Sequence, residues 1–142
     1  MSKSNTSENA FLLLLYNATT WANVAVNATS SPLTNLWLAL YTSDPGEAGS
    51  ANTNECAYTS YARVAVARTS SGFTVTGNTV TLVADATFPT ATGGTETVTH
   101  FAVVSTASGT GTIFHSGTVS PTIAVSTGVT PKLLAATSIT ED

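Results

Sequence analysis

Charge is the scarcest ingredient of this 142-residue chain, in which four basic and eight acidic residues make up 8 %. An ordinary soluble domain carries roughly a quarter. The cations Lys3, Arg63, Arg68 and Lys132 form no cluster and the net charge is −4, so the basic footprint of a phosphate-gripping module is missing and nucleic acid is not expected as a partner. Steering of a charged substrate is excluded on the same ground. Cysteine is nearly absent too: Cys56 stands alone, which rules out an internal disulfide. The longest apolar run, residues 11–16, falls far short of the roughly 20 residues that span a bilayer, and no membrane association is expected. The opening residues are polar, without the basic-then-apolar layout of a secretory signal, so synthesis in a cytoplasm is expected.

Threonine and serine take the place of the missing charges. A hydroxyl-rich surface is wettable, yet burying it against a neighbour leaves no unpaired ion behind. That composition suits a protein whose faces meet other proteins in many copies. The length fits one domain with an ordered arm. A domain of this size buries about two-thirds of its unfolded surface and needs neither a metal nor a disulfide to fold.

Residues 1–30 read as an N-terminal arm and short helix, and residues 31–142 as a β-sandwich domain. Residues 1–7 are polar and read as a flexible arm; Thr6 or Ser7 can cap a helix starting near Glu8. The run from Phe11 through Leu12, Leu13, Leu14 and Leu15 to Tyr16 is apolar on too many sides for a surface helix. Either it plugs the end of a β-structure or a neighbouring subunit covers part of it. A second short turn is expected around residues 21–26, stopped before Pro32.

Beyond Pro32 the period becomes two. Residues 36–41 are apolar on both faces, as in a central strand. Asp44-Pro45-Gly46 signals a turn and opens a structureless stretch to about residue 57, longer than an ordinary connection. Strands are expected at 61–68, 73–76, 80–82, near 88, at 95–105, 112–117, 119–126 and 129–137, with Gly77-Asn78 as a hairpin turn. Pro121 and Pro131 place the last two at edges or bulges. Roughly eight short strands at even spacing predict an all-β fold: an antiparallel β-sandwich, jelly-roll or Ig-like, with a short N-terminal helix.

Reactive constellations are few. A four-residue hairpin at 106–109 would set His100 opposite His115 and Phe101 opposite Phe114. Without a third ligand, that histidine pair reads as a cross-strand contact rather than a metal half-site or pH switch. No Gly-x-Ser-x-Gly elbow is present, and Asp85 with Glu96 makes a poor glycosidase pair on so small a scaffold. No catalytic residue, metal site or cofactor is expected. Asn5, Asn17 and Asn27 head Asn-x-Ser/Thr triplets that chance explains in so hydroxyl-rich a chain. Trp21 and Trp37 read as core or contact anchors.

Two stretches carry a resemblance. One runs from Leu36 to Arg68, with Asp44-Pro45-Gly46, Thr53-Asn54-Glu55, Tyr58-Thr59 and Tyr61-Ala62-Arg63-Val64. The other runs from Phe88 to Val104, with Gly93-Gly94 and Thr99-His100-Phe101. Both are similar to small virion proteins of tailed bacteriophages, some of them described as tail-fibre-like and others as head proteins. The resemblance implies a β-sandwich body on the capsid surface: a decoration, or cement, protein that bridges major capsid subunits, acts as a homo-oligomer on the shell, and is made in the host cytoplasm. The alternative is a tail-tip or fibre-associated module contacting the host surface. Contacts with the major capsid protein and with other copies are expected from Phe11, Leu12, Leu15, Tyr16 and Trp21 in the arm. In and near the long loop they are expected from Asp44, Pro45, Glu47, Glu55 and Tyr58.

Overall fold

The computed structural model describes residues 4–22, 24–25 and 32–141. Among the described residues the fold is all-β and sandwich-like, its sheets mostly antiparallel, with one short N-terminal helix. Among the described residues, helix α1 (Asn5–Asn17) precedes nine strands: β1 (Asn35–Tyr41), β2 (Val64–Ala67), β3 (Phe73–Thr76), β4 (Thr79–Leu82), β5 (Ala86–Thr87), β6 (Glu96–Val104), β7 (Ile113–Val125), β8 (Lys132–Leu133) and β9 (Ser138–Thr140). They form a sheet of order β2-β1-β6-β7, a sheet of order β3-β4-β9 and the pair β5-β8.

The chain divides into two compact units. One contains residues 1–35, 66–85 and 134–142; the other contains 36–65 and 86–133. The first is built on α1 and the β3-β4-β9 sheet. Its helix starts earlier than expected, because Ser4 rather than Thr6 or Ser7 is the cap: Ser4 Oγ accepts from the Ser7 amide at 3.3 Å. Glu8 then sits in the first turn, where its charge suits the helix dipole. Leu12 and Tyr16 are fully buried, Tyr16 standing edge-on to Phe73 with ring centroids 4.9 Å apart. Phe11, on another side of the helix, is 36 % exposed. Arg68 holds the C-terminal end of the helix, donating to the carbonyls of Leu15 at 2.5 Å and Leu14 at 2.6 Å. These accept well because the last turn of a helix leaves its carbonyls without intrahelical donors. The helix closes on Ala18, which adopts a left-handed conformation at φ 54°. Trp21 is half-buried and forms a bridge with Ala25; the Val24 and Ala25 amides donate to Trp21 O at 3.0 and 2.9 Å, a turn where the second one was expected, and its residues 23 and 26 lie outside the described residues.

The second unit is organised by β1 and β6, paired from Trp37↔Val104 to Tyr41↔His100. Being apolar on both faces, β1 is buried on both, as its sequence requires. Ala39 and Tyr41 join Ala51, Ala102 and Val104 in one cluster, with Trp37 and Ile113 packed against it. Leu36, Leu38 and Leu40 are buried on the opposite face.

The expected histidine pair does not form. His100 lies opposite Thr118, His115 opposite Val103, and Phe101 opposite Gly117 rather than Phe114. The connection between β6 and β7 takes in residues 105–112 instead of a four-residue turn, and a bulge near Val103 and Val104 shifts the register further. The two strands expected at 112–117 and 119–126 are one, β7, interrupted by a second irregularity. Residues 119–122, Pro121 among them, bulge opposite the single residue Thr99, which is where a proline without an amide is tolerated. The strand expected at 129–137 contracts to Lys132–Leu133, and that at 61–68 to Val64–Ala67.

Candidate functional site

The long segment after β1 lacks regular structure but is tied down residue by residue. On leaving β1 the chain returns alongside it: the Cys56 amide donates to Leu40 O at 2.8 Å and the Thr42 amide to Asn54 O at 3.0 Å. Between these rungs Asp44 Oδ1 accepts from the Gly46 amide at 2.9 Å, an Asx turn. Asn54, at φ 60°, donates its side-chain amide to Asp44 O at 3.0 Å. Asparagine tolerates that left-handed backbone better than most residues. Gly49 is needed for packing: a Cβ there would lie 2.0 Å from Pro45 O.

Arg63 secures this loop from beneath. Its side chain is 1 % exposed. Nε and Nη2 donate to the two carboxylate oxygens of Glu55 at 2.7 Å each, the fork geometry only arginine supplies. Nη2 also donates to Ala51 O at 3.0 Å and Gly109 O at 2.8 Å, and Nη1 to the carbonyl and hydroxyl oxygens of Thr106, both at 2.9 Å. One buried cation therefore joins the 42–63 segment to the β6-β7 connection. Tyr61 Oη donates to Glu55 at 2.9 Å while accepting from the Leu40 amide at 2.9 Å. Tyr41 Oη donates to Ala51 O at 2.8 Å. Hydrogen bonding to Glu55 raises the affinity of Arg63 for its proton, outweighing the opposing effect of burial.

A second clamp lies at Tyr58. Both oxygens of the Glu96 carboxylate accept from the Ala57 amide at 3.0 Å, and Oε2 also accepts from the Tyr58 amide at 3.2 Å. Tyr58 Oη donates to Pro89 O at 3.0 Å. Gly93-Gly94 packs against the same segment. The Thr59 amide donates to Gly93 O at 2.9 Å, and Gly94, at φ 88°, brings its Cα hydrogens to where a Cβ would sit 3.3 Å from Tyr58 Cα. The tyrosine rings continue the clamp, Tyr58 edge-on to Tyr61 and Tyr61 stacked over Phe88.

The residues singled out from sequence thus occupy different environments. Leu12, Tyr16, Pro45 and Tyr58 are buried, Leu15 and Trp21 half-buried, and Glu55 is held by Arg63 and Tyr61. Asp44 and Glu47 are exposed, and Phe11 lies at the surface. The loop residues share one unit, whereas the arm residues belong to the other. Sequence reasoning missed Arg63, Tyr61 and Glu96 as the organisers of the loop. A signal was there: Arg63 alternates with Ala65 and Ala67 in a chain almost free of cations, and an arginine in an apolar strand needs an anion.

The reactive potential of these groups is low. Burial, then the neighbouring Glu96 carboxylate, push the Cys56 thiol up to about 12, so little thiolate forms near neutrality. Burial likewise pushes Tyr58 up to about 12 and raises Tyr41 and Tyr61 further. No group of three His, Cys, Asp or Glu side chains with metal-binding geometry occurs among the described residues. What the arrangement does provide is a fixed surface. An open groove of about 680 Å³ lies between Asp44, Glu47 and Ser50 on one side and residues 111–116 on the other.

Residues 3–140 match one family model, described as Podophage GP4 fiber I protein gp80. No curated protein matches the chain.

Proposed function

We infer that this chain, which belongs to the podophage GP4 fiber I protein gp80 family, is a fibre-associated subunit that acts by binding. It is a structural protein of the phage virion. The observation that supports the fibre assignment is the extent of the match: residues 3–140 take in nearly all of both compact units. The site supports a binding role without catalysis. Its one buried cation is consumed by Glu55 and backbone carbonyls, and its thiol and phenols stay protonated at neutral pH. The 42–63 loop is held at both ends and along its length, which preorganises the surface it presents and reduces the entropy lost on docking. Partners are neighbouring virion proteins rather than nucleic acid, for want of a basic patch.

A second reading, decoration of the capsid lattice, is favoured by the sparse charge, which lets large areas be buried against many copies at little desolvation cost. Gold-labelled antibody against the chain, applied to intact particles, separates the two. Label at a tail or fibre structure supports the fibre assignment. Label spread over the head supports decoration and overturns it.

A further inference from the structure

The groove beside the 42–63 loop is built within one compact unit and is held in shape from several sides. One wall comes from residues between 44 and 50, the other from residues 111–116, and both belong to the second unit. The Ala51 amide joins the walls by donating to Gly111 O at 3.0 Å. Beneath them Arg63 donates to Ala51 O at 3.0 Å and to Gly109 O at 2.8 Å. The first wall is also braced within itself, the Gly49 amide donating to Gly46 O at 3.1 Å and the Ser50 amide to Thr53 Oγ1 at 3.0 Å. At about 680 Å³ the groove falls within the roughly 300–1,000 Å³ of small-molecule sites, most of which are formed in advance.

The 111–116 wall contains a bulge. Val103 lies opposite His115 and Val104 opposite Ile113, so Phe114 is an extra residue with no opposite number. A bulge interrupts the ladder and re-aims a side chain, and bulges are over-represented beside functional sites. Ile113 packs against the core cluster of Ala39 and Tyr41, while Phe114 is half-buried and lines the groove. The facing wall supplies acceptors. Asp44 Oδ1 takes the Gly46 amide at 2.9 Å and leaves Oδ2 for a ligand. Glu47 is exposed and has neither a hydrogen bond nor an ion pair among the described residues. Ionised carboxylates only accept, so a ligand has to bring the donors. No Lys or Arg lines the groove, and its histidine, His115, already has a partner. An anionic ligand would therefore meet Asp44 and Glu47 with nothing to neutralise them.

We propose that this groove binds an uncharged oligosaccharide, with hydroxyls of one sugar donating to Asp44 and Glu47 and the C–H face of a ring lying against Phe114. A sugar ring is apolar on its faces and carries O–H donors around its rim. An aromatic wall facing a carboxylate wall matches both halves of that chemistry. Ser50, Thr112 and Ser116 line the rest of the groove, where their hydroxyls offer hydrogen bonds without a charge to desolvate. A peptide fits less well, because the bulge at Phe114 breaks the row of main-chain groups that an added strand pairs with. The inference goes beyond the fibre assignment and is independent of it, since it concerns the chain itself and not its place in the particle.

The test titrates hexasaccharides into the full chain labelled with ¹⁵N. Maltohexaose, cellohexaose, mannohexaose and N-acetylchitohexaose are the uncharged probes, and hexagalacturonic acid is the anionic one. At least one uncharged probe should shift the amides of residues 44–50 and 111–116, and should bind about tenfold more tightly than hexagalacturonic acid, which the carboxylates repel. Glu47→Ala, whose side chain has no partner to lose, should weaken that probe about tenfold, as the loss of a hydrogen bond to a charged group does. Phe114→Ala should weaken it as well and Phe114→Tyr should restore it, with amides outside the groove unmoved. Shifts at the groove with none of the four uncharged probes would overturn the proposal. So would equal binding of hexagalacturonic acid, or affinity unchanged in both Glu47→Ala and Phe114→Ala. A ten-residue peptide of alternating lysine and threonine that shifts the same amides at lower concentration than every sugar would overturn it too, because the occupant would then be a cationic peptide.

Discussion

Arg63 and Glu55 lie eight residues apart and share two hydrogen bonds of 2.7 Å, one to each carboxylate oxygen, with the arginine side chain 1 % exposed. In a chain with four cations, one of them is spent entirely inside the protein. A buried pair of this kind adds little net stability compared with an apolar pair of the same shape, but breaking it is costly. Its contribution is to specify where the loop lies, because three carbonyls and a hydroxyl from two chain segments converge on the same guanidinium.

Arg63→Ala is accordingly expected to cost about 3–5 kcal/mol, since Glu55 and the carbonyls of Ala51, Thr106 and Gly109 lose their donor. Arg63→Lys should recover only part of this, because an ammonium cannot reproduce the planar fork. The double replacement of Arg63 and Glu55 by methionine should be less destabilising than Arg63→Ala alone. Urea unfolding of these variants beside the parent protein checks the order. A loss below about 1 kcal/mol for Arg63→Ala would show that the pair does not organise the loop.

The helix end offers a change in the opposite direction. Ala18 holds a left-handed backbone at φ 54° while its amide donates to Leu13 O, and glycine adopts that conformation without the clash a Cβ brings. Ala18→Gly should stabilise the protein by about 1 kcal/mol, read as a higher urea midpoint at unchanged slope. An unchanged or lower midpoint would contradict the assigned conformation.

Alkaline pH should weaken the fold in a way neutral pH does not. The Cys56 thiol ionises near 9.0 when exposed, but is held protonated in the folded chain up to about 12. Between those values the unfolded chain binds fewer protons than the folded one, so stability falls as pH rises; below 9.0 the contribution is complete. Tyr58, moved from 10.0 to about 12, acts in the same direction from pH 10.0 upward. Each such group steepens the slope by at most about 1.4 kcal/mol per pH unit. Urea midpoints between about pH 8 and pH 10.5 should decline, and Cys56→Ser should flatten the part between about pH 9 and pH 10. A midpoint constant across that range would refute the assignment.

The β1 strand, the 77–78 turn and the all-β class were legible because apolar alternation and turn residues act locally. Register was not. His100 and His115 fail to meet because of the 105–112 connection and a bulge, and that connection is held from far along the chain, Arg63 donating to Thr106 O and the Ala51 amide to Gly111 O. The clamp was hidden for the same reason: Arg63 reaches Thr106 and Gly109, 43 and 46 residues along the chain. Glu55 and Tyr58 were marked out by the resemblance and by their place in the long loop, but neither distinguishes a residue that holds a loop from one the loop displays. Asp44 and Glu47, exposed on the groove, are displayed.

The assignment to a fibre is tested most directly by counting. Quantitative mass spectrometry of purified particles, with isotope-labelled peptides from this chain and from the major capsid protein, measures copies per virion. The fibre assignment predicts copies far fewer than those of the major capsid protein, in a small fixed number per tail. Copies approaching those of the major capsid protein would place the chain on the head and contradict it.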